Sequence, residues 1–270
     1  MNIDVCLEMV LTDLPYEKRI EETAKAGFNM VEFWFHDVTF GGPAAGTPKD
    51  AAAIRQACEA NGVGVNNMVV NAPDGSVGGA PVNADDFGCY IDRLHETIEF
   101  CKSIGCSKAI TCTGNLVPGL TREQMRANLE KAYGLGAELA AANDFTLLLE
   151  PLNTHVDHSG YYLDSSSEAA EIVRAIGSPS FKLLFDIYHM QIMEGNIIAN
   201  IEKSIDIIGH FHSAGVPGRH ELMNGELDYR QIVSRIEALG YTGAFGLEYS
   251  PLMPDADSLR ATKAYLEPGP

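Results

Sequence analysis

The stretch KLLFDIYHMQIMEGNIIANIEKSIDIIGHFHSAG, residues 182–215, holds two apolar runs of strand length with a helical pattern between them. The runs are 182–190 and 208–215, and the segment 196–206 repeats its apolar residues at helical spacing. Two strands joined by a helix form a crossover between parallel neighbours. The alternation continues outward in both directions. Further strand candidates are 4–10, 29–35, 62–70, 108–114, 146–152 and 243–249, and further helix candidates are 16–26, 50–61, 84–104, 121–142, 165–176 and 228–239. Asp, Ser or Thr introduces several of these helices as an N-cap, and SSSE at 165–168 reads as a capping box. Eight strand–helix units in a chain near the ~250 residues typical of the architecture predict an α/β fold, a single (β/α)8 TIM barrel, with 1–270 as one domain. No linker, charge block or low-complexity tract divides the chain.

Composition narrows the function classes. The 270 residues are 46% hydrophobic, enough for a large core, and carry a formal net charge of -18. That balance repels phosphate backbones and anionic membrane surfaces, so neither nucleic acid nor membrane is the expected partner. All six cysteines fall in the first 112 residues without a C-x-x-C pair, which reads as reduced thiols packed as small apolar side chains. With no secretory pattern at MNIDVCLEMV and no apolar run near the ~18 residues that span a bilayer, a cytoplasmic protein is expected.

In a barrel of this kind, polar residues at the carboxyl ends of strands face one mouth, where the chemistry is placed. Glu150 ends LLLE, Asp186 ends KLLFD, His212 ends GHFH and Glu248 ends FGLE. Two Glu, one Asp and one His suit Mn²⁺, Mg²⁺ or Co²⁺, and with three carboxylates and no thiolate they suit zinc less well. A carboxylate at a strand end also serves as the cap of the next helix, so that reading stays open for each one. Strand alternation puts His210 on the same face as His212 but deeper, as a hydrogen-bonded core or supporting residue. His95 reads as a surface residue of a helix, His36 carries a weak signal, and His155 and His158 lie in the loop after the fifth strand.

The segments LLLEPLNTHVDHSGYYL, FDIYHMQIMEGN, GHFHSAGVPGRHEL and GYTGAFGLEYSP resemble the hydroxypyruvate isomerase family, a branch of the xylose-isomerase-like barrels that also holds ketose 3-epimerases and endonuclease IV. The match is specific through 146–252. The resemblance implies that Glu150, Asp186, His212 and Glu248 hold a divalent metal, that Glu150 and Glu248 are also the catalytic proton-transfer pair, and that His189 and Arg219 bind substrate oxygens. It implies a sugar or hydroxy-keto acid as the small-molecule partner, and enzymes of this kind often form homo-oligomers. His212 stands where these isomerases commonly have Gln and 3-epimerases have His. The loop 71–86 lacks the Trp and Arg of the isomerase branch and reads either as a lid or as a surface loop.

Three outcomes share this machinery. Removal of a proton next to a carbonyl gives an enediolate; return to the neighbouring carbon isomerises, and return to the same carbon from the other face epimerises. Elimination from the enediolate makes a lyase. A multi-metal nuclease would need further histidines at strands two to four, and strands three and four end in VVNAPDG and TCTGN with none.

Overall fold

The computed structural model describes residues 1–34 and 49–267. Phe35, at the end of the second expected strand, and His36 lie outside these residues. Eight parallel strands close on themselves in sequence order: β1 (Asn2–Cys6), β2 (Met30–Trp34), β3 (Gly64–Val69), β4 (Lys108–Thr111), β5 (Thr146–Leu149), β6 (Phe181–Asp186), β7 (Ile208–Ser213) and β8 (Ala244–Leu247), the last pairing back onto β1. The TIM barrel expected from the strand–helix alternation is therefore the fold. Among the described residues the helices are α1 (Tyr16–Lys25), α2 (Ala51–Asn61), α3 (Phe87–Ser103), α4 (Arg122–Ala141), α5 (Ser166–Ile176), α6 (Ile187–Met193), α7 (Ile197–Ser204), α8 (Tyr229–Ala238) and α9 (Asp255–Leu266). No helix among the described residues is long and apolar enough to cross a membrane.

Departures from the sequence pattern have local causes. The expected strand 4–10 stops at Cys6 because the chain turns there, the Met9 N–H donating to the Cys6 carbonyl; Leu7 and Val10 stay buried as core. The run 182–190 is two elements, since the Asp186 carboxylate accepts the His189 N–H and starts α6 inside the apolar stretch. At 165–168 only half of the expected capping box forms: Ser165 accepts the Glu168 N–H, while Glu168 is drawn away to Arg122 and Tyr162. The reciprocal box occurs on α4 instead, between Thr121 and Gln124. Five of the six thiols are buried as small core residues, but Cys89 on α3 is exposed.

Loop 71–86 is a wall and not a free flap. Asn71 bridges it to β4, donating to the Gly79 and Cys112 carbonyls and accepting the Cys112 N–H, and the Val82 N–H donates to the Thr113 carbonyl. Gly75 is required there: its φ is +77°, and a Cβ would fall 2.5 Å from that of Ala80.

Strand alternation layers the barrel interior. Two residues below Glu150 and Asp186 lie Leu148 and Leu184, which cluster with Val69 and Ile110. Two residues below His212 and Glu248 lie His210 and Gly246. A Cβ on Gly246 would come 2.8 Å from His212 Cδ2 and 3.0 Å from His210 Nε2, so this strand must be bare for both imidazoles to fit.

Candidate active site

Glu150 and Glu248 stand one residue beyond β5 and β8, each held by its own backbone. The Glu150 N–H donates to the Thr111 carbonyl and the Glu248 N–H to the Ser213 carbonyl, so both side chains inherit the position of a barrel strand. Asp186 closes β6 and divides its labour: Oδ1 accepts the His189 N–H as a helix cap, while Oδ2 lies 3.5 Å from His189 Nε2. The cap reading holds for this residue, which also stands in the cluster with Glu150, His189 and Glu248. His212 projects from β7, its Nδ1 3.1 Å from Glu150 Oε1 and 3.5 Å from Glu248 Oε2.

The structure therefore brings the four expected metal-site residues into one buried cluster, with one regrouping. Glu150, Asp186, Glu248 and His189 each place a donor atom within 4.8 Å of the others, whereas His212 groups with Glu32 and His210 through its second nitrogen. Hydrogen bonding separates the roles of the two histidines. His189 Nδ1 accepts from the Asn153 backbone N–H at 3.2 Å, so in the neutral ring the proton sits on Nε2, which is buried and unpartnered. Burial, reinforced by Arg219, holds His189 well below the usual imidazole range, so it is neutral. A neutral Nε2–H is a donor to an oxygen, not a metal ligand. His212 instead presents Nδ1 to two carboxylates.

Charged groups of both signs are crowded together here. Burial, with Glu150 and Glu248 nearby, pushes Asp186 up to about 7. Burial also raises Glu150. Burial would raise Glu248 too, but Arg219 and His212 outweigh it and bring it to about 2. Burial would lower His212, but Glu32, Glu248 and Glu150 outweigh it and hold it well above the usual imidazole range. Three carboxylates crowded out of water are the oxygen-rich donor set that a hard or borderline divalent cation takes, and His212 would add a nitrogen on giving up a proton. The residues present fit such an ion.

Arg219 comes from the loop after β7. Its backbone is left-handed, with φ +59°, which costs a non-glycine residue some strain and is held by two bonds: Arg219 N–H to the Gly215 carbonyl and Ser250 N–H to the Arg219 carbonyl. The guanidinium pairs with Glu248 Oε2 and lies 5.2 Å from the centre of the Tyr188 ring. Above the cluster opens a cavity of about 540 Å³, floored by Glu150, Glu248, His189 and Arg219 and walled by Trp34 and by Asp74 and Ser76 of loop 71–86. That is room for a small metabolite.

Of the remaining histidines, His95 and His155 are exposed. His158 reaches the cavity, packed edge-on to His189 at 5.3 Å. His210 is buried and supporting, 3.0 Å from Glu32 Oε2. Sequence reasoning missed the polar layer that His210 belongs to: Asp4, Glu32, Asn66 and Asn67, all buried. The signal was present, because each interrupts an apolar strand, and a polar side chain inside a buried strand needs a partner.

A profile of the xylose isomerase-like TIM barrel family matches residues 20–267. The chain belongs to that family. It is 30% identical over 267 residues to the 2-oxo-tetronate isomerase of Cupriavidus necator, covering 96% of each chain. It is 28% identical to the hydroxypyruvate isomerase of Escherichia coli, covering 96% of this chain and 97% of that one. Among solved structures, one named AP endonuclease, family 2, from Brucella melitensis superposes with a TM-score of 0.86 at 26% identity, over 98% of this chain and 99% of that one. The curated relatives are isomerases along their whole length, and this member of the family is an enzyme of that class.

Proposed function

We propose that the protein is a divalent-metal-dependent isomerase of a small sugar or hydroxy-keto acid, moving a proton between two glutamates through an enediolate. The observation that carries this reading is the placement of Glu150 and Glu248: both buried, on strands from opposite ends of the β5–β8 arc, and both in contact with His212 Nδ1. Glu150, Asp186, His212 and Glu248 would hold the ion. A bound divalent cation supplies polarisation of the substrate carbonyl and stabilisation of charge on the enediolate.

The chain's own residues do the rest. Either glutamate, ionised, accepts the proton from the carbon next to the carbonyl, and the pair returns it. Proton transfers of this kind contribute roughly 10²–10⁴-fold. His189, fixed as an Nε2–H donor by Asn153, holds a substrate oxygen. Arg219 keeps Glu248 ionised and offers its remaining N–H groups to a second oxygen, including that of a carboxylate. The loop 71–86 closes one side and limits substrate length. The substrates named for the C. necator and E. coli relatives, 2-oxo-tetronate and hydroxypyruvate, are of the class this cavity accommodates.

His212, the residue the sequence links with 3-epimerases, favours a second reading in which the same two glutamates act on opposite faces of one carbon. The experiment that tests both is incubation of metal-free and Mn²⁺-, Mg²⁺- or Co²⁺-restored protein with hydroxypyruvate, 2-oxo-tetronate and a panel of ketoses, with products identified by NMR. Isomerised keto acid only after metal is returned is the expected result, and a C3 epimer would select the second reading. Full turnover by verified metal-free protein would end the metal-dependent account.

A further inference from the structure

Beneath the metal cluster, Glu32 faces His212 from the opposite side of the ring. Its Oε2 accepts from Asn67 Nδ2 at 2.6 Å and lies 3.0 Å from His210 Nε2, so two donors fix that oxygen. Its other oxygen, Oε1, is 2.9 Å from His212 Nε2. Both of these atoms are buried, and neither meets hydrogen-bond geometry with any described residue, so the contact between them is a close charge pair whose angle is off. A carboxylate oxygen and an imidazole nitrogen at that separation need only a small rotation to pair, and leaving both unpaired would cost about 1–3 kcal/mol apiece.

We infer that Glu32 is a positioning residue that keeps a proton of His212 on Nε2 and so leaves Nδ1, which faces Glu150 and Glu248, as the nitrogen that gives up its proton where a metal would be held. An imidazole has two nitrogens and only the deprotonated one ligates; the partner of the other nitrogen decides which that is. Glu32 cannot shift its preference, because Asn67 and His210 occupy Oε2 and leave Oε1 as the acceptor for His212. Gly246 supplies the room in which this ring orientation fits. The assignment rests on the metal-dependent reading of the site.

The test substitutes the carboxylate by its amide. In Glu32→Gln the oxygen is retained by Asn67 and His210, so the NH₂ is turned toward His212 Nε2, which must then accept and move its own proton to Nδ1. Co²⁺ titrated into metal-free protein by calorimetry should bind ~10–100-fold more weakly than to the wild type, the range expected on loss of an outer ligand partner. The visible spectrum of the Co²⁺ protein should lose intensity, and the melting temperature of the metal-free variant should stay at or above the wild-type value. Asn67→Ala, which frees Glu32 to rotate but leaves its charge, should weaken Co²⁺ binding by a smaller factor, and it replaces the first variant should that one not fold. His212→Ala is the control. Co²⁺ binding lost in His212→Ala but within ~2-fold of wild type in Glu32→Gln and Asn67→Ala would overturn the role of Glu32 alone. No Co²⁺ binding by the wild type would overturn the metal-dependent reading and this assignment with it.

Discussion

The two sides of the barrel interior share a mouth and differ beneath it. Under Glu150 and Asp186 the next layer is Leu148 and Leu184, packed with Val69 and Ile110. Under His212 and Glu248 it is His210 and Gly246, flanked by Asp4, Glu32 and Asn66 in a hydrogen-bonded network: Asn66 Nδ2 donates to Asp4 Oδ2 at 2.7 Å and lies 3.4 Å from His210 Nδ1. The contrast follows from the groups above. A carboxylate presents acceptors whichever way it turns, so a strand end and an apolar floor suffice to aim it. An imidazole has one donor and one acceptor, and its floor must specify which is which.

The comparison can be broken from above or from below. At the mouth, Glu150→Gln and Glu248→Gln should each lower turnover by roughly 10²–10⁴-fold, because an amide cannot take up the substrate proton; steady-state kinetics on the substrate identified by NMR checks this. On the apolar side, Leu184→Ala should destabilise the fold by about 2–5 kcal/mol in denaturant unfolding, yet leave Co²⁺ affinity of the folded protein within a few-fold, because nothing there selects a tautomer. On the polar side the balance reverses. Gly246→Ala pushes a methyl group into both imidazoles, and a loss of about 1–3 kcal/mol in stability should come with weakened Co²⁺ binding. His212→Gln should preserve the fold and reduce Co²⁺ affinity ~10-fold or more, measured by calorimetry; unchanged affinity would remove His212 from the metal site.

The same contrast explains what was legible in the sequence. The barrel was readable because each strand and helix carries its own apolar period, and the expected helices lie within a residue or two of the observed ones, except that 84–104 begins with a 3₁₀ turn at 84–86 and becomes α-helical at Phe87. Glu150, Asp186, His212 and Glu248 stood out because each ends an apolar run. Two helices were hidden: α6, because its residues Ile187–Met190 extend the apolar run of β6, and α9, because its pattern is mostly polar. The pairing of Glu32 with His212 was hidden for another reason. The two residues are 180 positions apart, and only closure of the barrel brings β2 within reach of β7. Likewise Asp186 read as either cap or ligand, and the structure shows Oδ1 as the cap and Oδ2 beside His189 Nε2.

The central claim, that Glu150 and Glu248 carry the substrate proton between them, is tested most directly by turnover in D₂O. Wild-type protein restored with Mn²⁺ should place deuterium at the carbon next to the carbonyl of its α-hydroxy ketone substrate, as read by ¹H NMR. In the glutamine variant that removes the initiating base, all labelling should stop. The other variant should wash out the substrate proton without forming product, and which variant does which assigns the first and second transfers. Wild-type turnover and labelling in both Glu150→Gln and Glu248→Gln would contradict the account.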